Sequence, residues 1–270
     1  DTTNDAILFT GENGSLYQPV YGTDDGLVLY LPFEAVNGTT QYDRGPLGLD
    51  GTIQGGPTCN ATLGKYGAGC LFNVYDDNSG DHIDMDAHIP AVRDLAGGTI
   101  EYWFKTTYDD NQRVIGISDS GDGGSYFYVL HRENGKINPQ ISEGGSPKLN
   151  FRTVANFSDG VWHHVAFTMD ETGSKLFVDG VQPALQAYHT GTPSSVFWIN
   201  TVTDIDGFKI GAYPDTSSIK THFNGTLDEF KIYSRALSPE EIRTHYLRGS
   251  GYGASGAITA DKFRVVNTSG

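Results

Sequence analysis

Apolar and polar positions alternate with a period of two through much of this chain, the pattern of strands that bury one face. The clearest case is Thr99-Ile-Glu-Tyr-Trp-Phe-Lys105. Ile100, Tyr102 and Phe104 share one face, and Thr99, Glu101, Trp103 and Lys105 share the other. Trp162–Met169 reads as a second such strand, turned at Asp170–Gly173 and returned by Lys175–Val178. Further strands are predicted at 26–33, with Pro32 marking an edge or an end, and at 71–75, 114–117, 125–130, 136–141, 149–153, 208–211 and 225–233. Glu133-Asn-Gly135 and Asp179-Gly180 read as tight turns between them. One segment reads as a helix start: Ser238 caps it, Pro239 takes the first helical position, and Glu241 completes a capping box. The pattern predicts an all-β chain, a two-sheet antiparallel β-sandwich with one short C-terminal helix.

The chain has 270 residues, enough for one large all-β domain, and its 35 glycines and 12% aromatics suit many short strands joined by turns. Residues 24–248 read as that domain. Residues 1–23 read as an arm or linker with one short strand, Ala6–Thr10. Residues 249–270 read as a Gly-rich linker followed by a strand-like arm, Ala257–Val266. The chain starts with Asp and shows no leader, so a mature product or a fragment is expected.

A net charge of -15 sets nucleic acid and anionic membranes aside as partners, and no apolar run is long enough for a spanning helix. Cys59 and Cys70, a close pair with no other thiol, predict one disulfide and an oxidising compartment. Asn13, Asn37, Asn60, Asn156, Asn224 and Asn267 each open an N-x-S/T sequon, so glycosylation and an extracellular location are expected.

Six segments in order carry a family resemblance: 26–33, 64–72, 98–105, 162–168, 176–180 and the long run from Phe223 to Ile242, Phe-Asn-Gly-Thr-Leu-Asp-Glu-Phe-Lys-Ile-Tyr-Ser-Arg-Ala-Leu-Ser-Pro-Glu-Glu-Ile. Together they resemble the laminin-G-like, concanavalin A-like jelly-roll superfamily, to which pentraxins also belong. The resemblance covers roughly residues 25–247. It implies a jelly roll of two antiparallel sheets with six or seven strands each. It also implies a structural calcium, with Asp43 and Asp228 at the positions of the usual ligands. Calcium takes roughly six to eight oxygens, so loop carbonyls and water would complete that set.

Members bind sugars, proteins or sulfated glycans, often beside enzymes or on surface fibres, so the fold leaves the function to the site. Sugar binding needs exposed aromatic rings, and Tyr108, Tyr126, Tyr188, Trp198 and Tyr213 are the candidates outside the clear core strands. A second acidic cluster at Asp76, Asp77, Asn78, Asp81, Asp84 and Asp86 lacks the Gly and Glu of an EF-hand and reads as a solvated loop. His163 and His164 are strand neighbours that face opposite ways and read as structural. Ser120–Phe127 loosely echoes the sialidase Asp-box, a hairpin motif of folding rather than catalysis, and lacks its Trp.

No E-x-D-x-x-E string, G-x-S-x-G elbow or H-E-x-x-H pair occurs. The expectation is therefore a non-catalytic extracellular module for glycans or surface proteins, of the adhesion kind. A structural subunit of a filament or virion appendage is the alternative, and a polysaccharide-degrading enzyme the least favoured. The arms serve the filament reading, because an unpaired strand seeks a sheet edge and would join copies into a homo-oligomer. Removing residues 249–270 tests it: strand exchange predicts a lower oligomeric state by light scattering, and an unchanged state refutes it.

Overall fold

The computed structural model describes residues 25–34, 36–73, 80–187, 196–215 and 218–251. Both arms, Tyr188, Asn13, Asn267 and Asp76 to Asn78 lie outside the described residues.

The strands are β1 (Leu27–Leu31), β2 (Val36–Asn37), β3 (Thr40–Gln41), β4 (Gly51–Gln54), β5 (Thr58–Asn60), β6 (Gly69–Phe72), β7 (His82–Asp84), β8 (Gly98–Lys105), β9 (Gln112–Ser118) and β10 (Tyr126–Arg132). They continue with β11 (Lys136–Glu143), β12 (Ser146–Thr153), β13 (His163–Asp170), β14 (Gly173–Val178), β15 (Leu185–Ala187), β16 (Gly207–Ile210), β17 (Tyr213–Asp215), β18 (Ser218–Lys220) and β19 (Gly225–Tyr233). A single helical turn, α1 (Ile89–Val92), follows β7, and α2 (Pro239–Gly251) follows β19.

Two antiparallel sheets form the jelly roll. One has seven strands in the order β14-β13-β8-β19-β6-β5, with β1 sharing the far edge of β19. The other has ten, in the order β15-β12-β11-β10-β9-β16-β7-β4-β3-β2. The expected six or seven strands describe the first sheet and fall short of the second. Its surplus includes β2 and β3, two residues each, drawn from a turn-rich stretch.

Strand alternation sets the core. Phe127 of β10 and Phe151 of β12 point inward from the large sheet and meet Phe167 of β13. Trp198, on the connection to β16, fills the space between them, its ring 5.2 Å from both Phe127 and Phe167. Burying each such side chain contributes roughly 1.5–3 kcal/mol. Trp198 is 0% exposed, which corrects its reading as a sugar-stacking residue.

Helix α2 starts as its sequence demands. The Glu241 amide donates to Ser238 Oγ at 3.2 Å, and the Ser238 amide donates to Glu241 Oε2 at 2.7 Å. Arg235 closes on the same carboxylate through two nitrogens. Between β10 and β11, Asn134 and Gly135 take φ of 67° and 63°, the left-handed turn their residue types predict. Cys59 and Cys70 sit opposite each other on β5 and β6 and are joined by a disulfide.

The helix explains a face that alternation marks as solvent-facing. Glu101 and Trp103, on the polar side of β8, are 1% and 3% exposed. Tyr246 of α2 stacks on Trp103 at 5.8 Å, and Gly180 leaves the room Tyr246 needs. His245 of α2 holds the Glu101 carboxylate at 3.0 Å, with Lys231 and His164 each at 3.6 Å. Burial alone would push this carboxyl up, yet the charges of His245 and Lys231 and hydrogen bonds from both histidines hold it well below the usual range. His163 faces away, as its neighbour relation requires, and bridges Asp179 at 2.8 Å and Asp159 at 3.1 Å. Replacing Glu101 by Ala would take the shared carboxylate from the two buried histidines and leave Lys231 its contacts to Glu229 and Tyr30, and an expected loss of about 3–5 kcal/mol should appear in urea unfolding.

Candidate functional site

The outer face of the ten-stranded sheet carries the other half of each alternation. On β9 and β10, Phe127 pairs with Ile117 and Val129 with Ile115, all turned into the core. The register then shifts, so that the next residue, Leu130, pairs with Arg113 and Val114 is skipped. This bulge turns Arg113 onto the same outer face as Tyr126 and Tyr128; re-aiming a side chain is a common use of a bulge.

There the Arg113 guanidinium lies between two rings, 4.6 Å from the centre of Tyr128 and 5.1 Å from that of Tyr213. Tyr126 stacks on Tyr128 at 4.4 Å and meets Tyr213 edge-on at 6.1 Å. Each cation–ring contact is worth about 0.5–2 kcal/mol, depending on desolvation. Arg113 makes no ion pair among the described residues, and its buried Nε has no hydrogen-bond partner. Burial pushes the Tyr213 hydroxyl up to about 12 and that of Tyr128 higher still, so both keep their protons at neutral pH.

Tyr213 reaches the site on the hairpin β17–β18, which crosses the outer face of the sheet. Two glycines make its seat. A Cβ on Gly116 would stand 2.7 Å from the Ala212 carbonyl oxygen, and one on Gly207 would stand 2.6 Å from Pro214. Between them Ser118 Oγ donates to the Pro214 carbonyl at 2.7 Å.

Polar side chains extend the face on both sides. Tyr128 donates to Gln140 Oε1 at 2.7 Å, Gln140 Nε2 to Asn138 Oδ1 at 2.6 Å, and Asn138 Nδ2 to Asn150 Oδ1 at 3.1 Å. Beyond them Arg152 Nε lies 2.6 Å from the Gln186 side-chain amide, whose oxygen faces it once the amide is turned over. On the opposite side Lys209 Nζ sits between Asp84 at 2.9 Å and Asp86 at 2.6 Å. Asp81 is fully buried, with Oδ2 accepting the Asn73 amide. Of the cluster read as a solvated loop, these three are therefore tied into the structure, while Asp76, Asp77 and Asn78 lie outside the described residues.

Of the aromatic candidates, the structure brings Tyr126 and Tyr213 together, but Tyr213 is buried, 7% exposed, which corrects its reading as an exposed stacking ring and leaves Tyr126 as the half-buried one. Tyr108, 37% exposed on the connection between β8 and β9, is not one of the rings in this cluster. Tyr128 and Arg113 complete it. Tyr128 reads from sequence as one more strand residue, and nothing local marks Arg113, because the bulge that aims it depends on two strands at once. Among the sequons, Asn60 and Asn156 are exposed and Asn224 is half-buried, while Asn37 lies in β2.

The residues at the implied calcium positions do not fit a cation. Asp43 accepts the amides of Tyr30 and Gly45 on Oδ1 and that of Leu49 on Oδ2. Asp228 accepts those of Lys65 and Tyr66 on Oδ2 and that of Glu229 on Oδ1. A calcium site surrounds the ion with oxygens, whereas here amide donors point at the carboxylates. Burial and the neighbouring Glu229 push the Asp228 carboxyl up to about 8, against the pull of its three amides. Among the described residues no three His, Cys, Asp or Glu side chains converge as metal ligands.

Residues 77–243 match the family described as the Concanavalin A-like lectin/glucanases superfamily. The chain belongs to this superfamily. It is 23% identical over 256 residues to an anhydrosialidase of the leech Macrobdella decora, covering 87% of the chain and 32% of that enzyme. It thus spans about a third of that relative's length. Its fold is similar to the CBM40 domain of a Ruminococcus gnavus IT-sialidase bound to α2,3-sialyllactose, with a TM-score of 0.53 and 20% identity over 61% of this chain and 91% of that one. It is similar also to the binding domain of botulinum neurotoxin DC in complex with rat synaptotagmin II, with a TM-score of 0.61 and 11% identity over 84% and 52% of the two chains. At such identities the structural likeness is one of fold. For this superfamily member the amide-filled carboxylates carry a prediction: calcium and EDTA should give the same thermal unfolding midpoint in scanning calorimetry. A midpoint raised by calcium would place a cation that this hydrogen bonding leaves no room for.

Proposed function

We propose that the domain is a non-catalytic carbohydrate-binding module that takes acidic, sialylated glycans on the Arg113 face. One observation carries the reading: a guanidinium held between the Tyr128 and Tyr213 rings, without a carboxylate partner among the described residues, on a chain whose acids outnumber its bases 33 to 18. A planar, always-charged fork suits a carboxylate, and the half-buried Tyr126 ring beside it suits the apolar face of a sugar. The likeness in fold to a CBM40 domain bound to a sialyllactose supports the same ligand class. The disulfide and the sequons support a secreted or surface location, where such a module would bring a larger protein, a sialidase for one, to its glycan.

The test is binding of 3′-sialyllactose and of lactose by wild type, Arg113→Ala and Arg113→Lys, followed by calorimetry or NMR shifts. Wild type is expected to prefer the sialylated sugar. Arg113→Ala should lose about tenfold or more, the worth of one charged hydrogen-bonded pair, and Arg113→Lys should recover only part of it. Equal binding of lactose, or no glycan binding at all, would overturn the proposal.

A further inference from the structure

We infer that His222, packed against His82 beside the Arg113 site, is a positioning residue that keeps the site assembled only while its imidazole is neutral, so that ligand binding is lost on mild acidification. The inference rests on the reading of this face as a glycan site.

The segment from Thr221 to Phe223, between β18 and β19, crosses back over the start of β9. There the Thr221 carbonyl accepts the Arg113 amide at 3.1 Å, and the Phe223 amide donates to the Gly211 carbonyl at 2.7 Å. Thr221 holds a φ of 47°, a left-handed conformation unfavourable for a β-branched residue, so the surroundings must impose it. His222 supplies the packing. It is 2% exposed, and a Cβ on Gly80 would stand 2.2 Å from its ring, so the imidazole has no slack on that side.

The surroundings offer a proton on His222 no stabilisation. Its Nε2 is buried without a hydrogen-bond partner, and its ring lies 5.8 Å from that of His82. His82, on the outer face of β7, takes the Gly80 carbonyl at Nδ1 and faces Lys209, Asp84 and Asp86, whose two carboxylates are committed to the Lys209 ammonium. Asp81, next to His82 in β7, is turned to the interior and engages the Asn73 amide. Burial and then the charge of His82 hold His222 down to about 4, and burial likewise lowers His82.

The sign follows from linkage. In an open form, with 221–223 lifted into water, the imidazole takes a proton near its ordinary value of about 6.5, whereas the packed form refuses it until about 4. Between those limits each pH unit of acidification favours the open form by up to about tenfold. Opening breaks the Thr221–Arg113 hydrogen bond and frees the guanidinium from its place between the rings.

The experiment follows 3′-sialyllactose affinity from about pH 7.5 to about 5.5, a window in which the sugar's own carboxylate stays ionised, for wild type and His222→Phe. In parallel, hydrogen exchange is measured at the Arg113 and Phe223 amides and, as a reference, along β13. In wild type the open-to-packed ratio should rise about tenfold, so that affinity falls by up to that factor and protection drops at those two amides while β13 stays protected. His222→Phe, neutral at every pH, should hold at pH 5.5 whatever affinity it shows at 7.5. Wild-type affinity that ignores pH, or the same acid loss in His222→Phe, would overturn the inference. If no glycan binds at pH 7.5, the glycan reading fails, and exchange still decides: protection factors at Arg113 and Phe223 that do not fall with acid relative to β13 overturn the inference. If His222→Phe does not fold, the two wild-type amides serve in its place.

Discussion

The packing of Phe127 and Phe151 against Phe167 and Trp198 decides which side of the ten-stranded sheet faces inward. Everything on the outer side follows from that choice. A strand has a period of two, so fixing one residue in the core fixes the direction of every other until a bulge intervenes. With Phe127 and Val129 inward, Tyr126 and Tyr128 must face out, and their partners Ser142 and Gln140 on β11 face out with them. One bulge between Val129 and Leu130 adds Arg113 to that set. The candidate site is thus the necessary reverse of the core, altered at a single position.

The electrostatics divide in the same way. Most acids with a described role are held inside the fold: Asp43 and Asp228 collect backbone amides, Asp84 and Asp86 share Lys209, and Glu101 gathers two histidines and a lysine. Each is a local fastening between segments distant in sequence. Arg113 is the exception in both sign and partnership. Aromatic rings satisfy a guanidinium only in part, because they engage its faces and leave in-plane donors without acceptors. That arrangement suits a cation awaiting an anion better than one serving the fold.

Much of this was legible in the sequence. The alternation of β8, the Asn-Gly turn after β10 and the Ser238–Glu241 box are local signals, and local geometry obeys them. Other features depend on distant partners. Strands of two residues, such as β2 and β3, carry no periodicity to read and exist because β4 offers an edge to β3 and β3 one to β2. Trp198 sits in a loop stretch that sequence marks as accessible, and only the gap between the two sheets explains its burial. Glu101 looks solvent-facing until α2 lies across it. Tyr126 and Tyr213 stood out as aromatics, but their convergence with Tyr128 needs the hairpin seat at Gly116 and Gly207.

The buried histidines show why one of them can act locally. Burial holds His131, deep between the sheets, down to about 3, so its neutrality supports the whole sandwich, and that support fades as pH falls below the ordinary histidine range. His163 works in the other direction: hydrogen bonds and charge from Asp179 and Asp159 outweigh its burial and raise it, so its contribution is full in acid and fades as pH rises through its raised value. These two oppose each other in the stability of the domain, and both are locked by strands with many neighbours. His222 sits instead on a short return segment in a strained conformation, fastened by the Thr221–Arg113 and Phe223–Gly211 hydrogen bonds. A segment so fastened opens at a lower cost than the sheet beneath it. Acid should therefore reach the Arg113 site before it reaches the fold.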